Sequence, residues 1–220
     1  MAGQKYNPMI SASIYHDLIE SIVASLEARD VHTANHSRRV SDMTERFCRF
    51  LEISEAEGHM IHMAAHVHDI GKIGIPDSIL QKPGKLSPQE RIVMKQHSQI
   101  GASILGRSAC LKEIANIVLH HHERWDGRGY PGGLAGESIP YGSRVIAVCD
   151  SVDAMLGLRS YRESLTADEC RREILENCGK MYDPAIANSL ILHWNEIVPG
   201  YENKCGCKNK RNAETPGKAV

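Results

Sequence analysis

Ser54-Glu-Ala-Glu57-Gly-His-Met-Ile61-His-Met-Ala-Ala65-His-Val-His68-Asp69 reads as a helix with its own start signal and a chemically loaded end. Ser54 with Glu57 three residues later is a capping-box pattern. Ile61, Ala65 and His68 then fall on one face at helical spacing. His68-Asp69 closes the run with two metal-ligand side chains side by side. His66 lies two residues before His68, roughly 200° away around a helix, so the two imidazoles cannot both face one site.

The same periodicity continues outward from this run. Ile14, Leu18, Ile22 and Leu26 predict a lead helix, and Val40, Met43, Phe47 and Leu51 predict a second amphipathic helix. Downstream, Gly71 to Gly84 reads as a loop. Ser87-Pro88-Gln89-Glu90 starts a helix running towards Leu105. The next carries Leu111, Ile114, Ala115 and Val118 and ends near His120-His121-His122. Residues 123–142 hold too much Gly and Pro for a regular element, and long loops inside compact domains are usually functional. Val145, Val148, Val152 and Met155 mark another helix. Thr166-x-x-Glu169 caps one with Ile174 and Leu175, and Asp183-Pro184 opens a last one through Ile191 and Trp194, stopped by Pro199-Gly200. No strand run and no internal repeat is visible. The expectation is an all-α helical bundle in three parts: a lead helix (1–27), a main domain (28–198) and a flexible polar tail (199–220).

Composition narrows the function. In 220 residues, 26 Lys or Arg face 27 Asp or Glu, a net charge of -1 that argues against a DNA-binding role. No apolar run reaches about 18 residues, so no membrane span is expected, and the N-terminus lacks an apolar secretory core. Seven irregularly spaced cysteines do not resemble a disulfide framework. The reading is cytoplasmic, with reduced thiols. Histidine stands out: 12 are present, more than the 11 Phe, Trp and Tyr together.

Their placement suggests one site. His36, His68-Asp69, His97, His120 to His122 and Asp150 lie on five successive segments, and a bundle can aim side chains from several helices at one point. Mixed imidazole and carboxylate donors suit first-row metals, and two such ions can share a carboxylate. One member of the triple His is expected to face away. His16, His59, His62, His66 and His193 read as ordinary surface or core residues.

His68-Asp69-Ile-Gly-Lys72-Ile-Gly-Ile-Pro76-Asp77 followed by His121-His122-Glu123-Arg-Trp-Asp126-Gly127-Arg-Gly129-Tyr130-Pro131 resembles the HD-GYP branch of the HD-domain phosphohydrolases. The likeness covers about residues 28–190. It extends to Lys82-Pro-Gly-Lys85, Met94-Lys-Gln-His97, Ile146-Ala-Val-Cys-Asp150-Ser-Val-Asp153-Ala and Arg159-Ser-Tyr-Arg162. The resemblance implies an HD-domain helical bundle whose long loop carries the Gly-Tyr-Pro motif. It implies a bacterial signalling phosphodiesterase that hydrolyses cyclic di-GMP to pGpG, GMP or both. The metal ligands it implies are His36, His68, Asp69, His97, His121, His122 and Asp150, holding two divalent transition metals, in some members three, with iron and manganese frequent. Asp69 would be the bridging ligand. Lys72 resembles the family lysine at the scissile phosphate, and Arg159 and Arg162 resemble phosphate or guanine contacts.

Several positions stay open at this level. The family's third-metal position, four residues before His36, holds His32: either a further ligand or a plain surface residue. Ser160 stands where Pro is usual in the basic tetrad. Tyr130 could stack on a base or pack the loop onto the bundle. Glu123 and Asp126 are candidates to orient ligand histidines, and Asp153 could assist the metals or bond a neighbour. The alternatives in function are hydrolysis of the mixed cyclic GMP-AMP dinucleotide, or a non-catalytic module that senses the nucleotide or docks partners. The chain could be a stand-alone protein or an output domain following a sensor or receiver, and its lead helix could dimerise or cover one side of the bundle.

Overall fold

Side-chain caps start four helices where the sequence predicts them, Asp183 by accepting from the Ala185 N–H at 2.8 Å. The Ser54 hydroxyl accepts from the Glu57 N–H at 3.2 Å. Ser87 with Glu90, and Thr166 with Glu169, form complete capping boxes in which each side chain serves the other's backbone N–H. The structure, a computed structural model, describes residues 17, 19–26, 35–157 and 164–199. His32, Arg159, Arg162 and the tail beyond residue 199 lie outside the described residues.

In order, the described helices are α1 (19–26), α2 (His36–Cys48), α3 (Glu55–Val67), α4 (Asp77–Leu80), α5 (Pro88–Lys95), α6 (His97–Leu105), α7 (Lys112–His120), α8 (Tyr141–Leu156), α9 (Ala167–Glu176), α10 (Pro184–Leu192) and α11 (Trp194–Ile197). Extended pairing among the described residues is limited to two isolated bridges. No helix among them is long and apolar enough to cross a membrane.

The core forms around α8, on which Val145, Ile146, Val148, Cys149 and Val152 are fully buried. α2, α3, α7, α9 and α10 pack against it. Val40, Met43 and Phe47 bury the predicted face of α2. Trp194 and Ile197 of α11 close the same core. The lead helix joins it through Ile19, Val23 and Leu26, and Glu20 lies 3.3 Å from His66 of α3.

Four expectations need correction. In α1 the buried face is Ile19, Val23 and Leu26, while Ile22 is 48% exposed. Adjacent residues differ by about 100° around a helix, and with apolar residues at both 22 and 23 the periodicity does not choose between them. The Ser87 helix does not run unbroken to Leu105; it breaks at Gln96. The segment from Gly71 to Gly84 is not a plain loop: a 3₁₀ turn (Ile70–Gly74) and α4 lie within it. The last predicted helix divides at His193, whose ring stacks on Phe50 at 4.3 Å.

Candidate metal centre

Three of the expected histidines stand where a helix ends or breaks. His68 follows the last turn of α3, His97 follows the break after α5, and His121 follows α7. Each donates its Nδ1 proton to the carbonyl three residues back: His68 to Ala65 at 2.7 Å, His97 to Met94 at 2.8 Å, His121 to Val118 at 2.6 Å. Carbonyls in a helix's last turn lack an intrahelical partner, so the backbone provides these acceptors. With Nδ1 donating, the neutral ring presents the Nε2 lone pair.

His36 is oriented differently. It opens α2, where orphan groups are N–H donors rather than carbonyls. Its Nδ1 instead meets Asp153 Oδ2 of α8 at 2.7 Å. Arg39, one turn along α2, grips both oxygens of Asp153, Nε to Oδ1 at 2.6 Å and Nη2 to Oδ2 at 2.9 Å.

Asp69 lies between two groups of imidazoles. Its Oδ2 is 3.4 Å from His68 Nε2 and 3.8 Å from His36 Nε2, and its Oδ1 is 3.5 Å from His97 Nε2. His36 Nε2 also lies 3.2 Å from Asp150 Oδ1. Donor atoms of His36, His68 and Asp69 fall within 4.8 Å of one another, as do those of His97, His121 and His122. All seven expected ligands that the resemblance supplies therefore converge. His120 is the member of the triple His that turns away, its Nδ1 3.5 Å from Glu123 Oε1.

These side chains are buried, and burial governs their charge. It pushes His121 well below the usual imidazole range, with neighbouring imidazoles adding to the effect. It lowers His97, and it takes His122 down to about 4. At His36 burial acts in the same direction but is outweighed by the bonds to Asp150 and Asp153, which lift it to about 9. Burial opposes ionisation of Asp69, yet Lys72 and then the imidazoles hold it well below the ordinary carboxylate range. Lys72 Nζ is 2.7 Å from Asp69 Oδ2.

The donor set fits divalent metal on two counts. His68 Nε2 is buried without a hydrogen-bond partner, a cost a cation would remove. His97 Nε2 and His121 Nε2 face each other at 3.4 Å; with both Nδ1 atoms donating to carbonyls, two lone pairs meet there. A cation between them turns that repulsion into coordination.

The Gly-Tyr-Pro loop is anchored beside this centre. Glu123 accepts from the N–H groups of Gly132 at 2.6 Å and Leu134 at 3.1 Å. Asp126 pairs with Arg124 and accepts from the Arg128 N–H. The expectation that Glu123 and Asp126 orient ligand histidines is thus corrected: they shape the loop. A Cβ on Gly129 would lie 2.4 Å from Glu123 Cα, so only glycine allows the loop to fold back so closely. Tyr130 stacks on His122, ring centroids 4.8 Å apart, and Lys95 Nζ lies 4.8 Å from the centre of the Tyr130 ring. Tyr130 thus packs against one of the converging histidines. Arg39 and Lys95 were not foreseen. Arg39 had a signal, since it lies three residues after His36 on the same helix; Lys95 had none beyond its place two residues before His97.

A profile of the HD domain matches residues 20–186. The chain belongs to the HD-domain family. Its motifs place it in the HD-GYP branch, and curated relatives agree in sequence. The HD domain is 42% identical to a cyclic di-GMP phosphodiesterase of Thermotoga maritima over 86% of this chain and 53% of that protein. It is 39% identical to the 3'3'-cGAMP-specific phosphodiesterase 2 of Vibrio cholerae over 83% of this chain and 35% of that protein. The chain therefore spans between about a third and about a half of these relatives. Solved structures share the fold. A cyclic GMP-AMP specific phosphodiesterase of Vibrio cholerae superposes with a TM-score of 0.61 at 20% identity, covering 81% of this chain and 48% of that one. The HD domain of the Listeria monocytogenes phosphodiesterase PgpH gives 0.57 at 21% identity, covering 80% of this chain and 98% of that one.

Proposed function

We propose that this HD-GYP domain is a metal-dependent phosphodiesterase that hydrolyses a cyclic dinucleotide, cyclic di-GMP first, to pGpG, GMP or both. The observation that carries the reading is Asp69, with one oxygen among His36 and His68 and the other beside His97. That is the arrangement of a carboxylate shared by two ions. The relatives named as acting on cyclic di-GMP and on 3'3'-cGAMP support the substrate class.

His36, His68 and Asp150 would hold one ion and His97, His121 and His122 the other, with Asp69 spanning both. The imidazoles suit iron, and the carboxylates of Asp69 and Asp150 admit manganese as well. When bound, such cations neutralise the phosphodiester charge and make hydroxide available near neutral pH. The chain's own groups do the rest. Asp69 stays unprotonated and so remains a ligand across the neutral range. Lys72, beside it at 2.7 Å, offers an ammonium to a non-bridging phosphate oxygen. Tyr130 flanks the site on His122, and Arg159 and Arg162 would bind the phosphate or base. The setting we assign is the bacterial cytoplasm.

The test is anaerobic purification with metal analysis, followed by separate incubation with cyclic di-GMP and 3'3'-cGAMP and chromatography of products. Linear dinucleotide or mononucleotide from either substrate supports the reading, and the faster one names the preference. Protein carrying two metals that binds both dinucleotides and cleaves neither would overturn it.

A further inference from the structure

The backbone holds three of the site's imidazoles. The Nδ1 atoms of His68, His97 and His121 rest on carbonyls at the ends of the helices that precede them, α3, α5 and α7, at 2.6 to 2.8 Å. Those acceptors move only if a helix end unwinds. His36 alone among these four depends on a side chain, Asp153, which reaches it across 117 residues of sequence. Asp153 is buried, yet the guanidinium that grips it is 41% exposed on its side chain. Arg39, Asp153 and His36 are linked, because Asp153 Oδ2 accepts from both Arg39 Nη2 and His36 Nδ1. Asp150, itself 3.2 Å from His36 Nε2, sits one turn before Asp153 on the same helix. Arg39 therefore ties the start of α2 to the stretch of α8 that carries Asp150 and Asp153.

We propose that Arg39 is a positioning residue for one half of the metal centre, fixing Asp153 so that His36 presents Nε2. The other half, His97 with His121 and His122, contains no link of this kind: His97 and His121 are oriented by carbonyls, and His122 lies between the rings of His121 and Tyr130. The guanidinium makes two parallel bonds to one carboxylate, which fixes the plane of Asp153 as well as its place. An ammonium makes a point contact and leaves that plane free. Without the fork the Asp153 carboxylate rotates about its last bond, and the His36 ring loses its fixed direction. The two halves of the centre should then respond unequally to loss of Arg39.

The inference rests on the two-metal reading above, and its test separates the two. Metal-free protein is titrated with Mn(II), following free and bound ion by electron paramagnetic resonance, for wild type, Arg39→Met and Arg39→Lys. Loss of a group that orients a ligand typically weakens metal affinity by about 10- to 100-fold. In Arg39→Met one of the two sites should weaken by that factor while the other keeps its wild-type affinity. Arg39→Lys should fall between. Thermal unfolding of the metal-free proteins checks that each variant folds. Unchanged affinity at both sites in a folded Arg39→Met, or an equal loss at both, overturns the positioning role. A wild type that takes up neither Mn(II) nor, under anaerobic conditions, Fe(II) overturns the two-metal reading itself.

Discussion

Gly71→Ala tests whether the spacing of the two half-sites is set by backbone contact. The 3₁₀ turn after Asp69 lies directly on α6. A Cβ at Gly71 would sit 1.8 Å from the His97 carbonyl oxygen and 2.5 Å from the Gly101 nitrogen. Both neighbours are main chain, so no side chain can swing aside. The turn and α6 must separate by roughly an ångström or more to reach ordinary contact. Asp69 is two residues before the new methyl and His97 carries the carbonyl it strikes, so the separation feeds into the 3.5 Å between Asp69 Oδ1 and His97 Nε2. Overpacking of this kind costs about 1–3 kcal/mol, within the usual 5–15 kcal/mol of a domain, so the variant should fold. A displacement of about 1 Å at a reacting centre costs on the order of 10²-fold in rate. The expected result is folded protein with fewer than two bound metals, and kcat/KM down on the order of 10²-fold. Gly101→Ala meets its nearest atoms at 3.2 Å and should show the same defects in milder form. Metal content by mass spectrometry and turnover of cyclic di-GMP provide the measurement. Gly71→Ala with full metal content and turnover would refute the reasoning.

Four further outcomes follow from the same geometry. Metal binding should release about one proton at pH 7, because His36, lifted to about 9, must lose a proton to ligate while His97, His121 and His122 are held below their ordinary range; calorimetry in two buffers of different ionisation enthalpy counts it, and zero release would contradict the His36 assignment. The sign reverses for stability of the metal-free protein: the raised His36 contributes fully below its ordinary value of 6.5 and loses that contribution as pH rises through about 9, so unfolding should come at lower denaturant at pH 9 than at pH 6. Glu123→Ala removes the charged acceptor of the Gly132 and Leu134 N–H groups and should cost about 1.5–3 kcal/mol in denaturant unfolding, whereas an unchanged midpoint would mean that water replaces the carboxylate freely. Tyr130→Phe keeps the ring stacked on His122 and should retain both metals; Tyr130→Ala should lose affinity at one site in the Mn(II) titration, and equal behaviour of the two would show that the stack carries nothing.

Most helices were legible because their start signals are local. Ser54, Ser87, Thr166 and Asp183 each cap as read, since a cap needs only residues within one turn. The break at Gln96 was not legible. The apolar pattern continues through it with no Gly or Pro beside it, and beyond the break His97 faces Asp69. The face of α1 was misread for a similar reason: Ile22 and Val23 are both apolar, and which one is covered depends on what packs there.

The candidate site was legible as a set of donors and illegible as a mechanism for aiming them. Histidines and carboxylates announce themselves by type, so the donor-bearing segments could be named, and the resemblance to the HD-GYP branch supplied the set of seven. Their orienting partners could not, because for His68, His97 and His121 the partner is a backbone carbonyl, which every residue possesses. Searching side chains for orienting groups led to Glu123 and Asp126, which shape the loop instead. The physical rule is positional. A helix end offers unpaired carbonyls, and an imidazole just past that end reaches the one three residues back at no cost in burying another polar side chain. A helix start without another helix ending just before it offers only N–H groups, so a ligand there must import an acceptor. His36 stands at such a start, and Asp153 with Arg39 is the import. The identities of Ala65, Met94 and Val118 are then free to vary as far as aiming the metal ligands goes, whereas those of Asp153 and Arg39 are not.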